Sequence, residues 1–239
     1  MPKEIIKSFL SGELDIVEFR RRYDTDPAIN DFLQKIIDDL KADPGRETIP
    51  WKKVVDGREY RFSSVVNGLR STTSDPRWRG KYRSVRDLLN FELNMMTHNV
   101  ETAMGATCFY NEVYEIYHQI DQTVPYSDRY SKAYGFALDV IPEYLSGGAS
   151  ELYIQRHILP LYPDTMKKGE RKKAVKAAIR EAFKSEKGYP CWAQSSEWPM
   201  GADGRPATYI GKGKSEGDLR RYRFRDESTG EIIVVEQYY

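Results

Sequence analysis

The periodicity of the sequence changes at Gly188, and this change most constrains the fold. Before it, apolar residues recur every three or four positions, which is the spacing of amphipathic helices. After it, apolar and charged residues alternate and Gly and Pro are frequent, which is typical of short strands joined by turns. The sequence therefore predicts an α+β protein, with a mainly helical body over residues 1–187 and a small antiparallel β-sheet over residues 188–239.

The helical body begins with a compact subdomain over residues 1–44. Gly12 is placed to end its first helix and Asp15 to cap the second. Asp26 and Pro27 open a third, longer helix. The remaining patterns predict a strand pair over residues 51–62 and helices over about 84–96, 100–121, 128–145, 150–159 and 167–187.

The last 52 residues predict three strands, Ala207 to Lys212, Leu219 to Asp226 and Glu231 to Tyr238, with a hairpin loop over residues 226–230. In the middle strand, Arg221, Arg223 and Arg225 alternate with Tyr222 and Phe224. Side chains alternate between the two faces of a sheet, so one face is predicted to be packed and the other basic. A sheet of this size buries too little to be stable alone, and we expect it to pack on the helices.

Composition excludes several classes of function. The 37 Lys and Arg nearly cancel the 36 Asp and Glu, so no global field attracts the chain to nucleic acid or anionic lipid. No apolar run approaches the ~20 residues that span a bilayer, and the first residues lack a secretory pattern, so no membrane association is expected. Cys108 and Cys191 are the only cysteines, too few for a disulfide framework, which favours the cytoplasm.

Residues Glu115 and His118 form half of the ligand pattern of carboxylate-bridged di-iron proteins. A complete site needs a second Glu-x-x-His, and neither His98 nor His157 has Glu three residues before it. We therefore interpret the pair as a polar stripe on an amphipathic helix and predict no metal and no cofactor.

Two other functional patterns stay open as alternatives. Arg77, Arg79, Lys81 and Arg83 surround Trp78, a combination of charge and aromatic ring that suits single-stranded nucleic acid. The neutral total charge argues against nucleic acid as the partner. An enzyme whose site is assembled from scattered Glu, His and Tyr is the other alternative, although no catalytic residue is identified and Cys191 has no His nearby in sequence.

The aromatic residues of the helical body follow helical spacing. Phe109, Val113, Ile116 and Ile120 form one stripe, and Tyr110, Tyr114 and Tyr117 form an adjoining one. We expect these rings to pack in a core with their hydroxyls at its edge. A tyrosine-lined groove for a partner is the alternative.

The segment from Pro190 to Pro199 contains two tryptophans beside the predicted sheet. Trp192 and Trp198 can cover the open face of the sheet, while Gln194 and Glu197 would satisfy backbone or arginine donors. In that case the segment is a structural clasp. Alternatively it is a recognition edge, with Trp192, Gln194, Glu197, Trp198, Arg221 and Arg223 binding a partner.

The same segment contains the most distinctive sequence motif of the chain, W-x-Q-x-x-E-W-P over residues 192–199. It is followed by Gly204-Arg205-Pro206 and by the ending Val235 to Tyr239. Over about residues 189–239, the sequence resembles small bacterial proteins that look like members of toxin-immunity neighbourhoods. The resemblance implies a cytoplasmic, non-catalytic binding protein, an immunity-type inhibitor whose partner is another protein, a bacterial toxin.

Overall fold

The structure, a computed structural model, describes residues 1–43, 45–47, 49, 84–89 and 100–239, and the backbone alone of residues 51–55 and 58–62. The chain divides into two compact units, Met1–Tyr134 and Gly135–Tyr239. Helices dominate, and a three-stranded antiparallel sheet lies at the C-terminus, so the predicted α+β class is confirmed. The predicted boundary between the helical body and the β-sheet, at Gly188, lies inside the second unit.

The first unit is mainly helical, and its helix ends follow the predicted capping residues. Gly12 ends the first helix in the left-handed conformation, with φ of 93°. Asp15 accepts a hydrogen bond from the Glu18 N–H, and Asp26 accepts one from the Ala28 N–H. The elements are α1 (Pro2–Ser11), α2 (Ile16–Thr25), α3 (Pro27–Ala42), the antiparallel strands β1 (Trp51–Val55) and β2 (Arg58–Phe62), a helical turn over residues 85–89, and α4 (Ala103–His118).

Aromatic rings fill the core of the first unit, as expected for the tyrosine and phenylalanine stripes of α4. Phe9 stacks on Phe19 with ring centroids 4.1 Å apart, and both lie near Phe109. The buried Tyr110 donates its hydroxyl to the Leu10 carbonyl. Ile120 does not belong to this core: α4 ends at His118, and the Ile120 side chain is 45% exposed.

The second unit packs helices against the C-terminal sheet. Helix α5 (Arg129–Val140) begins within the first unit by sequence and ends in the second, two residues before Pro142, which leads into a 3₁₀ turn, Glu143–Leu145. The later elements are α6 (Gly148–Tyr153), a π-turn (Ile154–Ile158), a 3₁₀ turn (Leu159–Leu161), α7 (Lys168–Ala182), and strands β3 (Thr208–Lys212), β4 (Leu219–Arg225) and β5 (Ile232–Tyr238). The strand order is β3-β4-β5, with both pairs antiparallel.

Helix α7 ends five residues before the predicted end at Lys187. The reason lies in the residues that follow, whose backbone binds the outer side of β3. The Tyr209 N–H donates to the Lys184 carbonyl, and the Glu186 N–H donates to the Tyr209 carbonyl. Backbone groups that pair with the sheet cannot also continue the helical ladder.

The packed face of the sheet forms the core of the second unit. Tyr222 and Phe224 of β4 are buried, whereas the intervening Arg223 is exposed, which confirms the predicted alternation. The buried rings share one apolar cluster with Val175 and Ile179 of α7. The sheet therefore packs on the helices of its own unit.

Candidate functional site

Trp198 is an interior residue of the second unit. Its indole is 2% exposed and meets the rings of Phe183 and Phe224 edge-on, at centroid distances of 5.4 and 5.1 Å. The indole N–H donates to the Ala207 carbonyl at 2.8 Å. Of the two interpretations of the segment, the structural clasp describes this residue, because the ring has no surface to offer a partner.

Trp192 holds the segment from the other side. Its ring is half-buried and lies 4.6 Å from that of Tyr222. Its indole N–H donates to the Tyr144 carbonyl at 2.9 Å, and the Ser196 hydroxyl donates to the same oxygen at 2.8 Å. Two hydrogen bonds to one carbonyl fix the segment against the 3₁₀ turn at residues 143–145.

Gln237, rather than Gln194, satisfies the backbone of the segment. Its side-chain oxygen accepts hydrogen bonds from the Ala193 and Gln194 N–H groups at 3.0 and 3.1 Å, and its amide donates to the Ser195 carbonyl at 2.7 Å. Gln237 is 1% exposed, whereas the Gln194 and Glu197 side chains are exposed. The backbone hydrogen bonds predicted for Gln194 and Glu197 are made within this segment by Gln237 of β5 instead.

A groove opens between this segment and the 3₁₀ turn, with a cavity volume of about 490 Å³. Its rings are those of Tyr144 and Trp192, and Tyr189 stacks on Tyr144 with centroids 4.3 Å apart. Glu143 is the one charged side chain among the described residues that line it. The lining residues are Glu143, Tyr144, Ser146, Pro190, Cys191, Trp192, Gln194, Ser195 and Ser196.

The electrostatic character of the groove is acidic and aromatic. Burial and the neighbouring Tyr189 raise the pKa of Tyr144, while the nearby Arg180 of α7 acts in the opposite direction. Aromatic faces beside a carboxylate attract a cation, since the ring quadrupole and the negative charge act in the same direction. The groove therefore suits a Lys or Arg side chain.

The basic face of the sheet is largely neutralised. Arg221 binds Glu236 at 2.7 Å and Glu216 at 3.3 Å. Arg225 binds Glu186 at 2.7 Å and a second carboxylate, that of Glu227, at 3.0 Å. Arg223, between them, is exposed and forms no ion pair with any described residue.

The six predicted partner-binding residues therefore do not form one surface. Trp198 is in the core, and Arg221 and Arg223 lie on the outer face of the sheet. Trp192 and Gln194 line the groove. Sequence reasoning missed Glu143 and Tyr144, because they precede the segment by about fifty residues and only the fold places them beside it.

A second groove, of about 600 Å³, brings together the residue types expected of an assembled enzyme site. It includes His157, whose ring lies 4.8 Å from that of Tyr153, and the carboxylates of Asp226 and Glu227. Hydrogen bonds from Thr208 and Arg225 lower the pKa of Glu227, and backbone and hydroxyl donors lower that of Asp226. General acid catalysis at neutral pH needs a raised pKa, so these two carboxylates do not suit the role of a general acid.

Asp226 organises the loops that close the sheet. Its carboxylate accepts hydrogen bonds from the Ala202 N–H at 2.8 Å, and from the Ser228 N–H and hydroxyl at 2.8 and 2.7 Å. A Cβ at Gly201 would lie 2.6 Å from a carboxylate oxygen of Asp226, so only glycine fits there. The carboxylate thus ties residues 201–202 to the hairpin loop.

Asp226→Asn is expected to lower the free energy of unfolding at neutral pH and to lower it less in acid. The hydrogen bonds hold the pKa of Asp226 below its usual 3.8, so its stabilising contribution is present above that value and is lost as the pH falls. Urea midpoints of the wild type and the variant should therefore differ at pH 7, and this difference should be smaller at pH ~3, which lies below the usual pKa of the carboxyl. Asp218→Asn, on an exposed side chain, is the control and should match the wild type at both values. A gap that widens in acid would contradict this assignment.

Glu115 and His118 do not form a metal centre with other described residues. Glu115 is 2% exposed, and the His118 Nδ1 atom is buried without a hydrogen-bond partner among the residues described. Burial lowers the pKa of His118. Over the described part of the chain, no group of three or more His, Cys, Asp or Glu residues is arranged to hold a metal ion. The basic patch around Trp78, predicted for nucleic acid, lies outside the described residues.

Comparison of the chain with protein-family models, with curated proteins and with solved structures found no match. Within the described ranges, none of the helices combines the length and the apolar character that crossing a bilayer requires.

Proposed function

We propose that the protein acts by binding another protein through the groove between residues 143–146 and 190–196. The observation that carries this proposal is the acidic, aromatic lining of a groove whose backbone is fixed on both sides. A rigid pocket loses little conformational entropy when a partner side chain enters it. The partner contributes a Lys or Arg side chain that contacts Glu143 and the faces of Tyr144 and Trp192.

The proposed class of partner rests on the resemblance of residues 189–239 to small bacterial proteins that look like members of toxin-immunity neighbourhoods. We propose that the partner is a bacterial toxin and that this chain is an immunity-type inhibitor, which occludes the toxin without chemical turnover. A toxin that acts on nucleic acid or on membranes offers basic side chains, and an acidic groove complements them. We also place the protein in the cytoplasm, where the exposed Cys191 thiol stays reduced.

Charge reversal at the groove should abolish inhibition without unfolding the protein. Glu143 is exposed, so Glu143→Lys is expected to leave the thermal transition unchanged. It should weaken binding of the proposed toxin, tested as the product of the adjacent gene, by roughly tenfold or more, because a cation in the groove would meet a like charge. The measurement is growth of cells that co-express the toxin with each variant, together with the affinity of the purified pair.

Glu231→Lys is the matched control, because it makes the same charge change on an exposed residue of the β4–β5 hairpin, away from the groove. It should protect cells as well as the wild type does. Equal loss with both variants, or full protection by Glu143→Lys, would contradict the assignment of the groove.

A further inference from the structure

The two edges of the C-terminal sheet differ. The outer side of β3 is covered, because residues 184–186 pair with Tyr209 through two backbone hydrogen bonds. The outer side of β5 has no strand partner among the described residues. β5 is therefore the open edge of the sheet.

β5 carries one charged side chain, that of Glu236, and otherwise lacks the features by which natural proteins protect an open edge. Short edge strands, proline, lysine and β-bulges all discourage pairing with another chain. β5 has seven residues, contains neither Pro nor Lys, and pairs with β4 without any shift of register. Two of its aliphatic side chains, Ile232 and Val234, are 45% and 48% exposed. A long, regular and apolar edge of this kind is a template for strand addition.

The backbone groups on this edge can be assigned from two hydrogen bonds. The Asp226 N–H donates to the Glu231 carbonyl, and the Tyr239 N–H donates to the Asp218 carbonyl. In an antiparallel ladder these hydrogen-bonded pairs recur at every second residue. The backbone N–H and carbonyl groups of Ile233, Val235 and Gln237 therefore point toward β4. The N–H and carbonyl groups of Ile232, Val234, Glu236 and Tyr238 therefore point outward.

The edge is complementary to itself. When two copies of β5 pair antiparallel about an axis at Val235, all seven residues overlap, and Val234 of each copy lies opposite Glu236 of the other. Arg223 is paired with Val234 in the β4–β5 ladder. Glu236 of the second copy would then lie two strands, about 10 Å, from Arg223. Long side chains span that distance above Val234, so Glu236 of the second copy, which already binds Arg221 of its own chain, can also pair with Arg223.

We propose that the protein forms a homodimer in which two β5 strands pair antiparallel about Val235, giving a continuous six-stranded sheet. The interface is isologous, as a two-fold axis requires. This register avoids a Glu236–Glu236 contact, which an axis at Glu236 would produce.

Val234→Lys tests the interface, because lysine on an edge strand opposes strand addition. In sedimentation velocity over a range of concentrations, the wild type should move toward twice the chain mass of 27.8 kDa, whereas the variant stays monomeric. Val17→Lys is the matched control, since the side chain of Val17 on α2 is 53% exposed, a fraction similar to the 48% of Val234. It should dimerise as the wild type does. A monomeric wild type, or a dimer that survives Val234→Lys, would overturn the proposal.

A disulfide tests the register independently of that variant. In a Cys191→Ser background, Val235→Cys places two thiols on the axis in a non-hydrogen-bonded pair, where Cα atoms lie about 4.5 Å apart and a disulfide fits. Ile233→Cys, on the same face of β5, places the two substituted positions about 14 Å apart. Mild oxidation should give a covalent dimer of Val235→Cys alone. Failure of Val235→Cys to cross-link, or equal cross-linking of both variants, would overturn the proposal.

Discussion

Trp198→Ala should lower the free energy of unfolding by about 3–5 kcal/mol, as truncation of a buried large aromatic ring does. The indole is 2% exposed and contacts the rings of Phe183, Tyr209 and Phe224. Its removal also leaves the Ala207 carbonyl without its indole donor in a buried place, which adds to the cost. Urea unfolding followed by circular dichroism measures the loss.

Tyr239→Ala is the control for this variant, because it removes an aromatic ring that is 72% exposed. Its free energy of unfolding should fall by no more than about 1 kcal/mol, because the ring loses only an exposed contact with the Arg220 guanidinium. If Trp198→Ala were as stable as Tyr239→Ala and yet failed to bind the partner, Trp198 would be a recognition residue and the clasp would be wrong.

Phe9→Ala should cost a similar amount, about 3–5 kcal/mol, in the first unit. Phe9 is fully buried and stacks on Phe19 with an interplanar angle of 6°. It also meets Tyr110 edge-on with centroids 5.5 Å apart, so one substitution removes contacts to α2 and α4 together. The measurement is again the urea midpoint and slope.

Val17→Ala is the matched control for Phe9→Ala, because Val17 lies on the neighbouring helix with its side chain 53% exposed. It should change the free energy of unfolding by no more than about 0.5 kcal/mol. Equal stability of the two variants would contradict the aromatic core described for this unit.

Local patterns predicted the elements of the fold well. Gly12, Asp15 and Asp26 act on backbone groups within a few residues, so their capping roles follow from sequence alone. Alternation in β4 likewise predicted which residues face the core, because side-chain direction has a fixed period in a strand.

Contacts between distant residues could not be predicted in the same way. The hydrogen bonds of Gln237 to residues 193–195 join parts of the chain more than forty residues apart. A signal was present, since Gln237 is the one polar residue at an inward position of a strand whose other inward residues are Ile233 and Val235. A buried amide needs partners, but the sequence does not say which ones.

The candidate site was predicted only in part, because the fold brings together residues that are far apart in the sequence. Trp192 was correctly placed beside the sheet, whereas Glu143 and Tyr144 belong to a turn that only the fold brings to the segment. The assignment of Trp198 to recognition was an open alternative, since Trp serves both cores and interfaces. Burial places this residue in the core.

The most direct test of the proposed binding without turnover follows the tryptophan fluorescence of the full chain while the product of the adjacent gene, the proposed toxin, is added. Because Trp192 lines the groove, its emission should change and saturate at a fixed stoichiometry, and Trp192→Phe should remove the change. The toxin should be recovered chemically unaltered. A response that persists in Trp192→Phe, no response at all, or catalytic modification of the toxin would contradict the account.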